Sequence, residues 1–249
     1  MKSTILELKD ISFGYSDKTI LSSVSLEIKA SEFVVFVGSS GCGKSTLMRI
    51  IAGLEMPTFG KVILHSSVNK ADQQQTPLAY LFQDYDSFPW LNVWDNLIKG
   101  SGSEPITDFS HAEHLLHQVG LWEHRHKYPS ELSGGMRKRL GLARCLVRQP
   151  AILLLDEPFS SLDIAIRNDM YTLVQQLAKE VGCTILLVSH DLHEMLLLAD
   201  RLFLCSKAPM KMVAEISNEM PHPRGEDILD DPFYRQTHHH LIEHLTATR

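Results

Sequence analysis

The stretch FVVFVGSSGCGKST, Phe33 to Thr46, decides the fold. Its first five residues form a continuous apolar run, the mark of a strand buried on both faces. The next nine, GSSGCGKST from Gly38 to Thr46, meet the phosphate-loop pattern G-x-x-x-x-G-K-[ST] at every fixed position. Gly41 and Gly43 let the backbone wrap a polyphosphate without Cβ collisions, and the helix that opens near Gly43 aims its N-terminal dipole at the charge. Gly38, Ser39, Ser40 and Cys42 complete the loop. Lys44 is expected to reach the outer phosphates, Ser45 to offer a hydroxyl to Mg²⁺, and Thr46 to add a hydrogen bond. The Cys42 thiol, placed at a helix N-terminus, is expected to favour thiolate.

Outward from this loop, a second device of the same kind recurs. LSGGMRKR, Leu132 to Arg139, sets a serine and two glycines before a basic helical run, which again points bare N–H groups and a hydroxyl at an anion. Twenty residues on, ILLLDEP places Asp156 and Glu157 at the C-terminal end of a buried strand, where ligands bind in open α/β sheets. Asp156 is expected to hold Mg²⁺ and Glu157 to polarise an attacking water. Many strands end in an acidic turn, but a phosphate loop upstream makes the metal reading the better one. His190, just past the buried run TILLV, is placed to donate to a γ-phosphate, although a histidine there also serves as a packing or capping residue.

Strand and helix patterns alternate along the chain, which argues α/β architecture. ILELKDISFGY, VSLEI, AILLLDE, TILLVSH, RLFLC and KMVAEI read as strands; STLMRIIAGL and the segment from Asp163 to Gly182 read as helices. Between Gln83 and Gln149 the strand signal disappears, so VWDNLI, FSHAEHLLHQVG and SGGMRKRLGLARCLV read as an all-helical insertion at about 84–149. The 44% hydrophobic and 22% charged residues suit a globular protein, and no apolar run approaches the roughly 18 to 20 residues that span a bilayer. The start MKSTILELKD alternates too regularly for a signal peptide, so a cytoplasmic location is expected. A net charge of −6 gives no basis for broad nucleic-acid binding, and the run Arg137–Arg139 reads as a solvated helix face. Four scattered cysteines suggest neither a disulfide framework nor a zinc site. His111, His114 and His117 on one helix and His238 to His240 near the end lack the Cys or acidic partners of a metal set, and read as solvated faces.

The phosphate loop, the FQD containing Gln83, LSGGM, ILLLDE, SSLD and His190 stand in the order and rough spacing of the ATP-binding subunits of ABC transporters. The resemblance runs from Tyr15 to about Ile216. It implies a P-loop NTPase core of ABC ATPase type with an antiparallel β subdomain and an inserted α-helical subdomain, over 1–220, followed by a helical extension at 221–249. It also implies Mg²⁺-dependent ATP hydrolysis and a head-to-tail pairing with a second copy or a homologous subunit. Ser133, Gly134 and Gly135 of one subunit would then close over the γ-phosphate on the partner's loop, which accounts for two cradles in one chain. By the same resemblance Tyr15 stacks on adenine, Gln83 senses Mg²⁺ and the attacking water, and Asp163 crosses the dimer and also caps its helix. Met136 departs from the glutamine common after LSGG, though methionine is familiar in some importer subfamilies.

DYDSFPWLNVWDN, directly after Gln83, carries Phe88, Pro89, Trp90, Leu91 and Trp94 within seven residues, so it forms either a small satellite core or an interaction patch. In the resembling family this region receives the membrane subunit. A separate integral-membrane permease is therefore implied, with a solute-binding protein behind it and a location on the cytoplasmic face of the membrane. DYDSFPWLNVWDN, LSGGMRKR, EPFSSLD and CSKAPMKMVAEI together are similar to the importer branch for nitrate, sulfonate, taurine or related small solutes, and the long regulatory domain of many sugar-importer ATPases is not expected. A nucleic-acid-maintenance ATPase would need a coiled-coil insertion or basic grooves, and a non-hydrolysing scaffold would tolerate loss of Glu157 or His190.

Overall fold

Phe33–Val37 forms a strand whose five side chains are all buried, as a continuous apolar run requires. The computed structural model describes residues 2–65, 78–82, 87–99, 102, 106, 108–160, 162–221 and 224–247. In chain order the strands are β1 (Thr4–Tyr15), β2 (Lys18–Lys29), β3 (Phe33–Val37), β4 (Phe59–Leu64), β5 (Leu78–Leu81), β6 (Ile152–Asp156), β7 (Thr184–Val188), β8 (Arg201–Cys205) and β9 (Met212–Ser217). The α-helices are α1 (Lys44–Ile51), α2 (Val93–Ile98), α3 (Phe109–Gln118), α4 (Gly134–Leu146), α5 (Ile164–Val181), α6 (Leu192–Leu198) and α7 (Pro232–Ala247). Among the described residues no helix is long and apolar enough to cross a membrane.

The chain divides into two compact units, residues 1–67 with 184–249, and residues 68–183. In the first, β1 pairs antiparallel with β2 and with β4, an antiparallel sheet of the expected kind. Beside it β3 pairs in parallel with both β7 and β8, and β9 returns antiparallel along β8. The second unit holds the parallel pair β5 and β6 together with α2 to α5. The unit with the helical insertion thus also takes β5, β6 and α5.

Helix ends follow local chemistry. Asp163 caps α5 by accepting from the Ile166 N–H at 3.0 Å, as its place before the helix suggests, and Gly182 ends the helix at φ 69°. Ser133 caps α4 by accepting from the Met136 N–H at 3.2 Å. Lys138 departs from its reading as part of a solvated face: it is 5% exposed, and its Nζ donates to the Ser160 carbonyl. The helical repeat places it on the inner side of α4, where an ammonium must find a carbonyl. His111 departs in the same way. Its Nε2 is buried without a hydrogen-bond partner, and that burial pushes its pKa down.

The C-terminal stretch packs through a polar clamp. Arg224 is buried and donates to the carbonyls of Ala199, Met220 and Asn218, with Asp200 at 3.9 Å. Burial lowers its pKa and Asp200 opposes that shift. Further on, Tyr234 of α7 shares a 3.1 Å hydrogen bond with Nδ1 of His193 on α6. Replacing Arg224 with Met keeps much of the apolar stem but strands several buried carbonyls, so Arg224→Met is expected to lower unfolding free energy by about 3 kcal/mol. Urea titration checks this; a midpoint equal to the wild type would show that the clamp carries no stability.

Candidate nucleotide site

The first unit carries the phosphate loop, held between β3 and α1. Gly43 takes φ 123° and Gly41 φ 74°, left-handed backbone that favours glycine. The two differ in what surrounds them. A Cβ on Gly41 would meet nothing within 4 Å, whereas one on Gly43 would stand 3.0 Å from Leu21 Cδ2 and 3.2 Å from Ile20 Cγ2. Gly41 is open toward a ligand, and Gly43 is glycine because β2 packs against it. Lys44 is 4% exposed and its Nζ donates to the carbonyls of Gly38 at 2.7 Å and Ser39 at 2.9 Å, so the loop folds around its own cation. Ser45 and Thr46 follow in the first turn of α1, half-buried.

A cavity of about 750 Å³ opens beside this loop, lined by Gly38 to Cys42, Ser189, His190, Met195, Lys207, Ala208 and Leu245. His190 is exposed on it, and its turn is fixed on both sides. The Asp191 N–H donates to Ser189 Oγ at 3.0 Å, and Asp191 caps α6 by accepting from His193 and Glu194. His190, expected from the sequence near a γ-phosphate, thus lines the cavity beside the phosphate loop, and Lys207, to which the sequence assigned no site role, lines it too.

Cys42 departs from expectation. Its side chain turns inward, 2% exposed, with Sγ 3.8 Å from Lys44 Nζ and 3.0 Å from where a Cβ on Gly38 would stand. Cys205 Cβ lies equally close to that point. At the start of the loop the thiol thus packs among Gly38, Lys44 and Cys205. Tyr15, at the end of β1, donates from its hydroxyl to the Glu55 carboxylate at 2.6 Å, which raises the phenol pKa, and packs edge-on against Phe13 with ring centres 4.8 Å apart.

The second unit carries the acidic and signature residues. Asp156 ends β6, 8% exposed, and accepts from the Tyr80 hydroxyl of β5 at 3.1 Å. Glu157 follows at φ 49°, a left-handed conformation unusual for a glutamate and common at functional turns. Ser160 Oγ donates to the Glu157 carbonyl at 2.9 Å, and buried Phe159 packs edge-on against Tyr171 at 5.0 Å. The signature glycines have separate reasons. Gly134 is open, while a Cβ on Gly135 would press to 3.0 Å from Ile166 Cγ2 on α5. Gln83 lies outside the described residues.

The aromatic segment of this unit is both a satellite core and an exposed patch. Trp94 packs against Trp122 and Phe109, each at 6.0 Å, and Arg125 lies 4.3 Å over the Trp122 ring. Trp90 meanwhile is 69% exposed. Asn96, fully buried, holds the loop that presents it: Oδ1 accepts from the Phe88 N–H at 2.8 Å, and Nδ2 donates to the carbonyls of Phe88, Leu91 and Asn92.

Burial pushes the Cys205 thiol up to about 12, with Cys42 adding to the shift and Lys44 opposing it. A raised folded pKa gives stability that is complete below the ordinary value of 9.0 and is lost as pH climbs toward 12. The loss runs at about 1.4 kcal/mol per pH unit for this thiol. The stability difference between wild type and Cys205→Ala is therefore expected to shrink from pH 8 to pH 11 in urea titrations. A constant difference would show that the thiol ionises alike in both states.

Comparison with known proteins gives a family. The model described as ABC transporter matches residues 21–160, more than half of the chain. The aliphatic sulfonates import ATP-binding protein of Rhodococcus jostii is 41% identical over 221 residues, covering 89% of this chain and 87% of its own length. The spermidine/putrescine import ATP-binding protein of Nitrosomonas europaea is 36% identical over 230 residues, covering 91% of this chain; the chain spans 64% of that relative. A dimeric ATP-binding cassette solved in a post-hydrolysis state with ADP and Pi superposes at a TM-score of 0.71 and 25% identity, covering 87% of this chain and all of that one.

Proposed function

The chain belongs to the ABC transporter family of ATPases, and from that membership we propose that it is the ATP-hydrolysing motor subunit of an importer, working on a separate integral-membrane permease. The observation that carries the importer reading is the exposed Trp90 on an Asn96-braced loop, an apolar side chain held out where a docking partner would cover it. Relatives named as import ATP-binding proteins support it.

ATP fits the loop: the Gly41 side is open, Lys44 lies at the loop with its Nζ on the Gly38 and Ser39 carbonyls, and the cavity lining holds no carboxylate among the described residues. Mg²⁺, when bound, supplies charge neutralisation to the phosphates, and Ser45, Asp156 and Gln83 are the residues that would hold it. Glu157 would then accept the proton of the attacking water, with His190 donating toward the γ-phosphate. Tyr15 would face adenine, keeping its hydroxyl on Glu55. Ser133, Gly134 and Gly135, with Asp163, would serve the nucleotide of a second copy or homologous subunit, and the pair would sit on the cytoplasmic face of the membrane. The 1–220 cassette and the 221–249 extension remain our domain reading, with α7 as the body of the extension.

An organosulfonate, nitrate, taurine or similar small anion is the solute we favour, on the 41% identity to a sulfonate relative. A polyamine is the second reading, on the spermidine/putrescine relative. Neither solute would touch this chain.

Glu157→Gln is expected to keep ATP affinity, to lower turnover by roughly 100-fold or more, as loss of a general base does, and to accumulate an ATP-bound dimer on size exclusion. Normal phosphate release by that variant would remove Glu157 from the mechanism. The shared-site geometry has its own test. Mixing Lys44→Ala with Ser133→Arg subunits places both lesions in one composite site and leaves the other complete, so the mixture should recover part of the ATP-driven dimerisation that each variant loses alone. No recovery, under conditions where the wild type pairs, would refute head-to-tail sharing.

A further inference from the structure

Lys207 has no role in the site as read from the sequence, yet it lines the same cavity as Gly38 to Cys42 and His190. We propose that Lys207 is a further nucleotide-binding residue, a second ammonium that meets the terminal phosphate of ATP beside the phosphate loop. The assignment rests on the reading of that loop as the ATP site.

The turn that carries Lys207 is fixed to the loop through shared neighbours. Ser206 closes the turn: its N–H donates to the Lys211 carbonyl at 3.0 Å, its Oγ accepts from the Lys211 N–H at 2.9 Å, and its hydroxyl donates to the carbonyl of Lys207. Met210, fully buried, donates to the Ile20 carbonyl at 2.7 Å and accepts from the Ser22 N–H at 3.0 Å. Ile20 is also the residue that crowds Gly43, with its carbonyl 3.3 Å from where a Cβ there would stand. One stretch of β2 therefore sets the height of both the loop and the turn. From the other side Cys205, two residues before Lys207, packs at the first glycine of the loop, and its carbonyl is 3.0 Å from His244 Nε2 of α7. The backbone of Lys207 is thus held in place while its side chain stays exposed.

The charge pattern specifies the ligand. Lys207 and His190 line the cavity, Lys44 lies at the loop, and among the described residues no Asp or Glu is in the lining. Such a wall selects an anion. His190, read as a donor to the γ-phosphate, shares this wall with Lys207, so the added ammonium, beside the one Lys44 supplies, matters most for that terminal phosphate. ADP lacks this group.

The test compares affinities for a non-hydrolysable ATP analogue and for ADP, by calorimetry with Mg²⁺, in wild type, Lys207→Ala, Lys207→Arg and Lys207→Glu. Lys207→Ala should weaken the ATP analogue about tenfold, the size of one charge-assisted hydrogen bond, and leave ADP within about twofold. Lys207→Arg should recover most of the loss, Lys207→Glu should exceed it, and the salt dependence of analogue binding should fall in Lys207→Ala. Unchanged melting temperatures establish that the exposed substitutions leave the fold intact. Equal weakening of both nucleotides, or no weakening of either, overturns the proposal while the ATP site stands. Failure of the wild type to bind either nucleotide overturns both.

Discussion

Everything at the first cradle depends on how closely β2 approaches the phosphate loop. At Gly43, whose φ of 123° already favours glycine, a methyl group would stand 3.0 Å from Leu21 Cδ2 and 3.2 Å from Ile20 Cγ2, closer than ordinary contact. The same stretch takes Met210 in two backbone hydrogen bonds. The antiparallel sheet is thus the anvil against which the loop, and the turn between β8 and β9, are shaped. Remove that contact and the loop could keep its glycines and its lysine yet lose the geometry that turns N–H groups toward an anion.

Much of this was legible in the sequence because the chemistry is local. A buried strand, a glycine turn and a helix start lie within fourteen residues, so β3, the loop and α1 could be read directly from Phe33 to Thr46. The caps at Asp163 and Gly182 were legible for the same reason. β4 was not read as a strand: it pairs on the edge of β1 and stays largely exposed, so its residues show no alternation of burial. β5 is four residues long, too short for a period. In α6 every residue from Glu194 to Leu198 is buried, which erases the helical stripe.

The groups that escaped the sequence share one feature: each is polar, and its partner is distant in the chain or set by a fold the sequence does not display. Tyr80 meets Asp156, Lys138 meets Ser160, and Arg224 reaches the end of α6. Asn96 bonds within eight residues, but only because the loop curls over it. A buried donor has to be satisfied, and its residue type does not announce by whom. That is why a lysine in a basic run read as solvated and lies internal, and why the loop cysteine, read as facing phosphate, lies 2% exposed beside Lys44.

The proposed head-to-tail pairing asks a second duty of Ser133 and Asp163, which already cap their own helices. The two duties are compatible on hydrogen-bond capacity. A serine hydroxyl carries one donor and two lone pairs, so accepting from Met136 leaves its proton to point at an anion. The cap also fixes the direction of that proton's carrier, and Gly134 beside it presents a bare amide with nothing within 4 Å of where a Cβ would be. Gly135, by contrast, is glycine because α5 presses on it through Ile166. The two glycines of the signature therefore answer two demands: one keeps the approach to the amides open, and the other lets the helix that Asp163 caps lie close enough to hold the cradle in place.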